Sequence, residues 1–123
     1  MHPRRLVRLN ELIHQIVSEA VLHLKDPAIG FLTITGAEIS PDVSLAKIFY
    51  SVLGTPDEQE KTAEALDRAK PYIRGQVAKL ENLRRVPQLL FVYDASVERA
   101  DRVARILNVI HNEENASDAT SSD

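Results

Sequence analysis

Cysteine is absent from this 123-residue chain, so disulfides, thiolate nucleophiles and cysteine zinc sites are excluded. Tryptophan is absent too, and aromatics are few: Phe31, Phe49, Phe91, Tyr50, Tyr72 and Tyr93. No apolar run is long enough to span a membrane. The first residues, Met1 to Arg8, are charged, and no apolar stretch of signal-peptide type precedes Asn10 and Glu11. These features fit a cytoplasmic chain of one domain. His2, His14, His23 and His111 are scattered, and His14 and His23 do not stand at the i,i+4 spacing of a helical zinc pair. No P-loop, glycine-rich nucleotide motif or nucleophile–base–orienter set is visible, which argues against an enzyme and against a bound cofactor. Asp94 and Ser96 read as a strand-end turn and a helix cap rather than as catalytic groups.

The charges that are present are segregated. The net charge is -3, yet the last thirteen residues hold Glu113, Glu114, Asp118 and Asp123 and no lysine or arginine. The remainder carries 15 basic and 14 acidic side chains, a net of +1. Arg68, Lys70, Arg74, Lys79, Arg84 and Arg85 fall in one stretch whose sole acid is Glu81, and Arg4, Arg5 and Arg8 form a second cluster. A local basic stripe attracts phosphate whatever the overall pI, although a solvated helix face shows the same composition.

Apolar spacing places the elements. Leu6, Leu9, Leu12, Ile13, Ile16, Val17, Ala20, Val21 and Leu24 predict a helix from about Arg4 to Leu24, ended by Asp26 and Pro27. Phe31 to Thr35 alternates as a strand, Gly36 suggests a bulge, and the strand resumes to Ile39. Ser40, Pro41 and Asp42 signal a turn into a second strand, Leu45 to Leu53, with Ala46, Ile48, Tyr50 and Val52 on one face. Thr55, Pro56 and Glu58 form a helix start with a capping box. Ala63, Leu66 and Ala69 face inward on that helix, and Pro71 is expected to divide it from a third, which Ile73, Val77 and Leu80 carry toward Pro87. Leu89 to Tyr93 is apolar on both faces and is expected to be a central strand. Ser96 is expected to cap a short last helix with Val103, Ile106, Leu107 and Ile110 on its apolar side. The domain is expected to span 1–111, with 112–123 an acidic disordered tail.

This order gives an α+β architecture, a three-stranded sheet with helices on one face, and resembles the type II KH fold. KH domains clamp nucleotides with a GXXG loop. Here the glycines are Gly30, Gly36, Gly54 and Gly75, no two of them three apart, so that loop is absent. Several segments, in order along the chain, are similar to the ribosome-binding factor A family: Ile39 to Gly54 (ISPDVSLAKIFYSVLG), Tyr72 to Arg74, Leu83 with Arg84, Pro87 to Phe91, and Asp94 with Ser96. The resemblance covers Arg4 to Ile110. One departure is Ala69, Lys70 and Pro71 at the kink, where the family carries Ala-x-Gly; proline is expected to keep the kink and stiffen it.

The resemblance implies a non-catalytic protein of the cytoplasm that binds the free or immature small (30S) ribosomal subunit. It implies help with late 16S rRNA maturation and 5′-end processing, greatest need in the cold, and release by a ribosome-assembly GTPase. A monomer is the expected state. The candidate RNA contacts are Arg4, Arg5, Arg8, Arg68, Lys70, Tyr72, Arg74, Lys79, Arg84 and Arg85. A general KH-like binder of single-stranded RNA would instead bind short free RNAs as well as subunits. A small enzyme would show converging titratable groups.

Overall fold

The computed structural model describes residues 3–81, 83–96 and 102–112. Helix α1 (Pro3–Leu22) buries Leu9, Ile13, Val17 and Ala20, one helical stripe. It stops two residues short of Leu24, where the His23 and Leu24 N–H groups turn to the carbonyls of Ala20 and Val21. Strands β1 (Phe31–Ile39) and β2 (Leu45–Leu53) pair antiparallel, and the register shifts between Ile34 and Gly36. The bulge therefore falls where glycine marked it, with Thr35 as the extra residue.

Helix α2 (Pro56–Val77) starts as expected. The Thr55 side chain accepts the Glu58 N–H, and the Glu58 side chain reaches back to the Thr55 backbone. The expected division at Ala69, Lys70 and Pro71 is corrected, because α2 runs unbroken through Pro71. Proline removes a single N–H from the ladder, while Leu66 before it and Ile73 and Val77 after it bury the same stripe. The helix then ends at Val77, ten residues before Pro87, so Lys79, Arg84 and Arg85 lie on a loop rather than on a helix.

Strand β3 (Gln88–Tyr93) pairs parallel with β2, and the sheet order is β1-β2-β3. The expectation of a central β3 is thus overturned: β2 is central and β3 an edge. Its double-faced apolarity has a different cause. Leu89, Phe91 and Tyr93 face the helices, where Tyr50 meets both rings edge-on at 6.4 and 5.7 Å, while Leu90 stands exposed on the open face. The inner face of β2 buries Ala46, Ile48, Tyr50 and Val52 against α1 and α2.

Residues 102–112 form a third helical run that is exposed throughout. The expected cap Ser96 donates its own N–H to Asp94 Oδ1 at 2.9 Å, so the acceptor at that turn is Asp94. Asn112, expected in the tail, is helical, and the rest of that tail lies outside the described residues. Among the described residues, no helix is long and apolar enough to cross a membrane.

Candidate nucleic-acid interface

The N-terminal half of α1 projects Arg5 and Arg8 from one face, three residues apart. The loop after α2 brings Arg84 to the same place. Together with Leu9, Leu12, Glu81 and Leu83 they line an open cleft of about 710 Å³. Among the described residues, no carboxylate or carbonyl engages the guanidinium of Arg5, Arg8 or Arg84. Three cations facing one acid over a leucine floor suit a phosphate chain, since guanidinium forks onto phosphate oxygens and stacks on flat groups. Glu81 and the leucines were not expected here. Leu12 carried the one signal, an apolar residue of the α1 stripe that remains 37% exposed.

The other candidate cations are differently placed. Arg68 donates from Nε and Nη2 to Asp26 Oδ2 at 3.3 and 2.8 Å. The Ala28 N–H, then Arg68, hold the Asp26 carboxyl below the usual aspartate value. Lys70 lies 3.3 Å from Asp67 Oδ1 and 5.9 Å from the centre of the Phe91 ring. Arg74 donates from Nε to the Pro87 carbonyl at 3.0 Å and from Nη2 to the Val86 carbonyl at 2.9 Å. Lys79 meets Gln76 Oε1 at 3.2 Å. Arg85 lies close enough to Asp42 to help lower its carboxyl. Arg4 stands exposed at the start of α1. Tyr72 is 44% exposed and lines a second groove, about 290 Å³, with Glu19, His23, Gln76 and Lys79. The structure thus brings Arg5, Arg8 and Arg84 together, engages Arg68, Lys70, Arg74 and Lys79 with other protein groups, and leaves Arg4, Tyr72 and Arg85 outside the cleft lining.

Two polar residues of α1 hold the helix in place. Asn10 Oδ1 accepts the Ile39 N–H at 2.8 Å, and His14 Nε2 lies 2.8 Å from the Ile34 carbonyl. Both contacts dock α1 on the edge strand β1 and so set the height of Arg5 and Arg8. Polar residues between the apolar positions of a helix look solvated in a sequence, so this role had no visible signal. Among the described residues, no group of three His, Asp or Glu side chains is arranged to hold a metal.

The family model for ribosome-binding factor A matches residues 5–107. This chain belongs to the ribosome-binding factor A family. A relative of that name from Geotalea daltonii is 41% identical over 108 residues, 87% of this chain and 88% of its own. The one from Desulfitobacterium hafniense (strain Y51) is 36% identical over all of this chain and 99% of its own. Among solved structures, a Thermotoga maritima protein described as a ribosome-binding factor A superposes with a TM-score of 0.66 at 36% identity, over 75% of this chain and 90% of that one. A Thermus thermophilus ribosome-binding factor A, as fitted into a cryo-EM map of its complex with 30S, superposes at 0.60, over 72% and 93%. At 24% identity that likeness speaks for the fold alone. The chain thereby shares the KH-like α+β fold of these ribosome-binding factor A structures. The family match begins at Arg5, so it takes in the whole cleft and leaves Arg4 just outside.

Proposed function

We propose that this protein docks on free or immature small ribosomal subunits through 16S rRNA phosphates and acts there by binding, without chemistry. The observation that carries the reading is the convergence of Arg5, Arg8 and Arg84 on one cleft. Membership of the ribosome-binding factor A family supports a ribosomal partner. Such a protein alters rRNA only by holding one arrangement more tightly than another. Assistance with late 16S maturation and 5′-end processing follows from such a preference. Misfolded rRNA escapes slowly in the cold, so dependence on the protein is greatest there. We further propose that it works as a monomer in the cytoplasm and that a ribosome-assembly GTPase releases it.

The test is co-sedimentation with small subunits, large subunits and whole ribosomes across a salt series. Selective binding to small subunits is expected, weakening as salt rises, with a slope of roughly 0.7–0.9 per phosphate neutralised. The double variant Arg5→Glu, Arg84→Glu is expected to abolish it. Equal binding to all particles, or an unchanged affinity and salt slope in the double variant, overturns the proposal.

A further inference from the structure

We infer that Arg74 is a positioning residue: it fixes the loop that presents Arg84 to the cleft and does not itself meet the RNA. The inference rests on the proposed function for its readout, and on local geometry for its content.

Arg74 sits in the last turn of α2, between Ile73 and Val77, both fully buried. Its backbone is therefore held by the core. Its half-buried side chain crosses to the segment before β3, where Nε and Nη2 donate to the consecutive carbonyls of Pro87 and Val86 at 3.0 and 2.9 Å. Two donors of one rigid plane meet two successive acceptors, an arrangement that a lysine ammonium cannot copy. The next residue, Gln88, donates its N–H to the Ser44 carbonyl at 3.0 Å and opens the β2–β3 ladder. Arg74 thus pins the chain at the point where loop becomes strand.

Upstream of that pin, Leu83 is half-buried against the core, and Arg84 and Arg85 are exposed between the two anchors. Two fixed ends three or four residues apart leave Arg84 little freedom. A direct phosphate contact through the same two donors would strip both carbonyls of their partner, and Pro87 is fully buried. The small hollow beside the guanidinium, about 280 Å³, is lined by Pro71, Gly75, Ala78 and Val86 and contains no acid. The side chain is accordingly held by backbone carbonyls rather than by an ion pair.

The test uses the full chain and purified small subunits, comparing wild type with Arg74→Met, Arg74→Lys and Arg84→Met. Arg74→Met is expected to weaken binding about tenfold at every salt concentration, because only ordering of the loop is lost. Its salt slope is expected to match wild type, whereas Arg84→Met is expected to lower the slope by about one phosphate. Arg74→Lys keeps the charge and loses the fork, so it is expected to remain as weak as Arg74→Met. Rescue by lysine, or a fall of about one in the Arg74→Met slope, overturns the inference in favour of a direct charge contact. Wild-type affinity in Arg74→Met overturns it as well. Hydrogen exchange on Arg74→Lys supplies a second readout. Faster exchange is expected at Gln88, whose N–H bonds the Ser44 carbonyl, with α1 and the β1–β2 hairpin unchanged, and general loss of protection overturns the positioning role in favour of a purely structural one. If wild type itself binds no subunit while that local exchange change is seen, the proposed function fails and the loop-fixing role stands.

Discussion

At Asp42 one carboxylate organises a whole turn. Its Oδ1 accepts the Ser44 hydroxyl at 2.7 Å, the Ser40 hydroxyl at 2.8 Å and the Ser44 N–H at 3.0 Å. Those bonds, Ser44 first, with a smaller contribution from Arg85, hold its pKa down to about 2 from the usual 3.8. They also accompany Val43 at φ 61, a left-handed conformation that a β-branched residue rarely adopts. A carboxyl whose folded pKa is depressed contributes stability that is complete above its unfolded pKa and disappears as pH falls through the folded one. The gap in stability between wild type and Asp42→Asn is therefore expected to be full at pH 5, to shrink between about pH 4 and pH 2, and to close below that. Urea titrations at stepped pH measure it, and a gap that does not vary with pH contradicts the assignment. The turn was visible in Ser40, Pro41 and Asp42. The positive φ at Val43 was not, because valine favours strand and its own side chain gives no sign of the turn around it.

At the level of elements, the clearest case is α2. Its beginning could be read directly, since Thr55 and Glu58 bond each other across the first turn and Pro56 fixes its own φ there. Its end could not. Leu80 and Leu83 continue a helical spacing, but both are drawn to the core from a loop, so their burial says nothing about backbone geometry. Pro71 misled in the opposite direction. It stands exposed inside an unbroken helix, where proline costs roughly 3 kcal/mol relative to alanine, partly offset by its stiffening of the unfolded chain. Pro71→Ala is expected to raise unfolding stability by about 1–2 kcal/mol while leaving small-subunit binding unchanged. Denaturant melts and co-sedimentation test both halves. Strand β3 shows a similar limit: apolar residues on both faces signalled a central position, yet its outer Leu90 is 44% exposed. The candidate site was legible as charge but not as geometry. Arg84 is separated from Arg5 and Arg8 by more than half of the chain, and nothing local distinguishes the three from Arg68 or Arg74, whose partners are Asp26 and two backbone carbonyls.

Across the whole molecule, one apolar layer joins the sheet to α1 and α2. Ile13, Ile48, Leu66 and Ile73 are all fully buried in it. Ile48 lies on the central strand, paired with Ala37 on one side and Phe91 on the other, so no neighbour can move far to fill a gap. Ile48→Ala is expected to cost about 2–5 kcal/mol, read as a lower urea midpoint with an unchanged slope. A loss below 1 kcal/mol, on the scale of an exposed substitution, contradicts this account of the core.

The parallel pairing of β2 with β3 has a consequence for how the chain comes together during its synthesis. Helix α1 and the β1–β2 hairpin involve the first 53 residues and meet without help from later ones, whereas β3 must return beside β2 after the whole of α2 has been made. Arg5 and Arg8 are thus among the first side chains to leave the ribosome that makes them, and Arg84 joins them only when β3 closes the sheet. A nascent chain that ends between Arg84 and Gln88 would carry every cation of the cleft and still lack β3. On the function proposed above, the grip on rRNA forms only once β3 has paired with β2, and a copy that lacks β3 is expected not to bind small subunits.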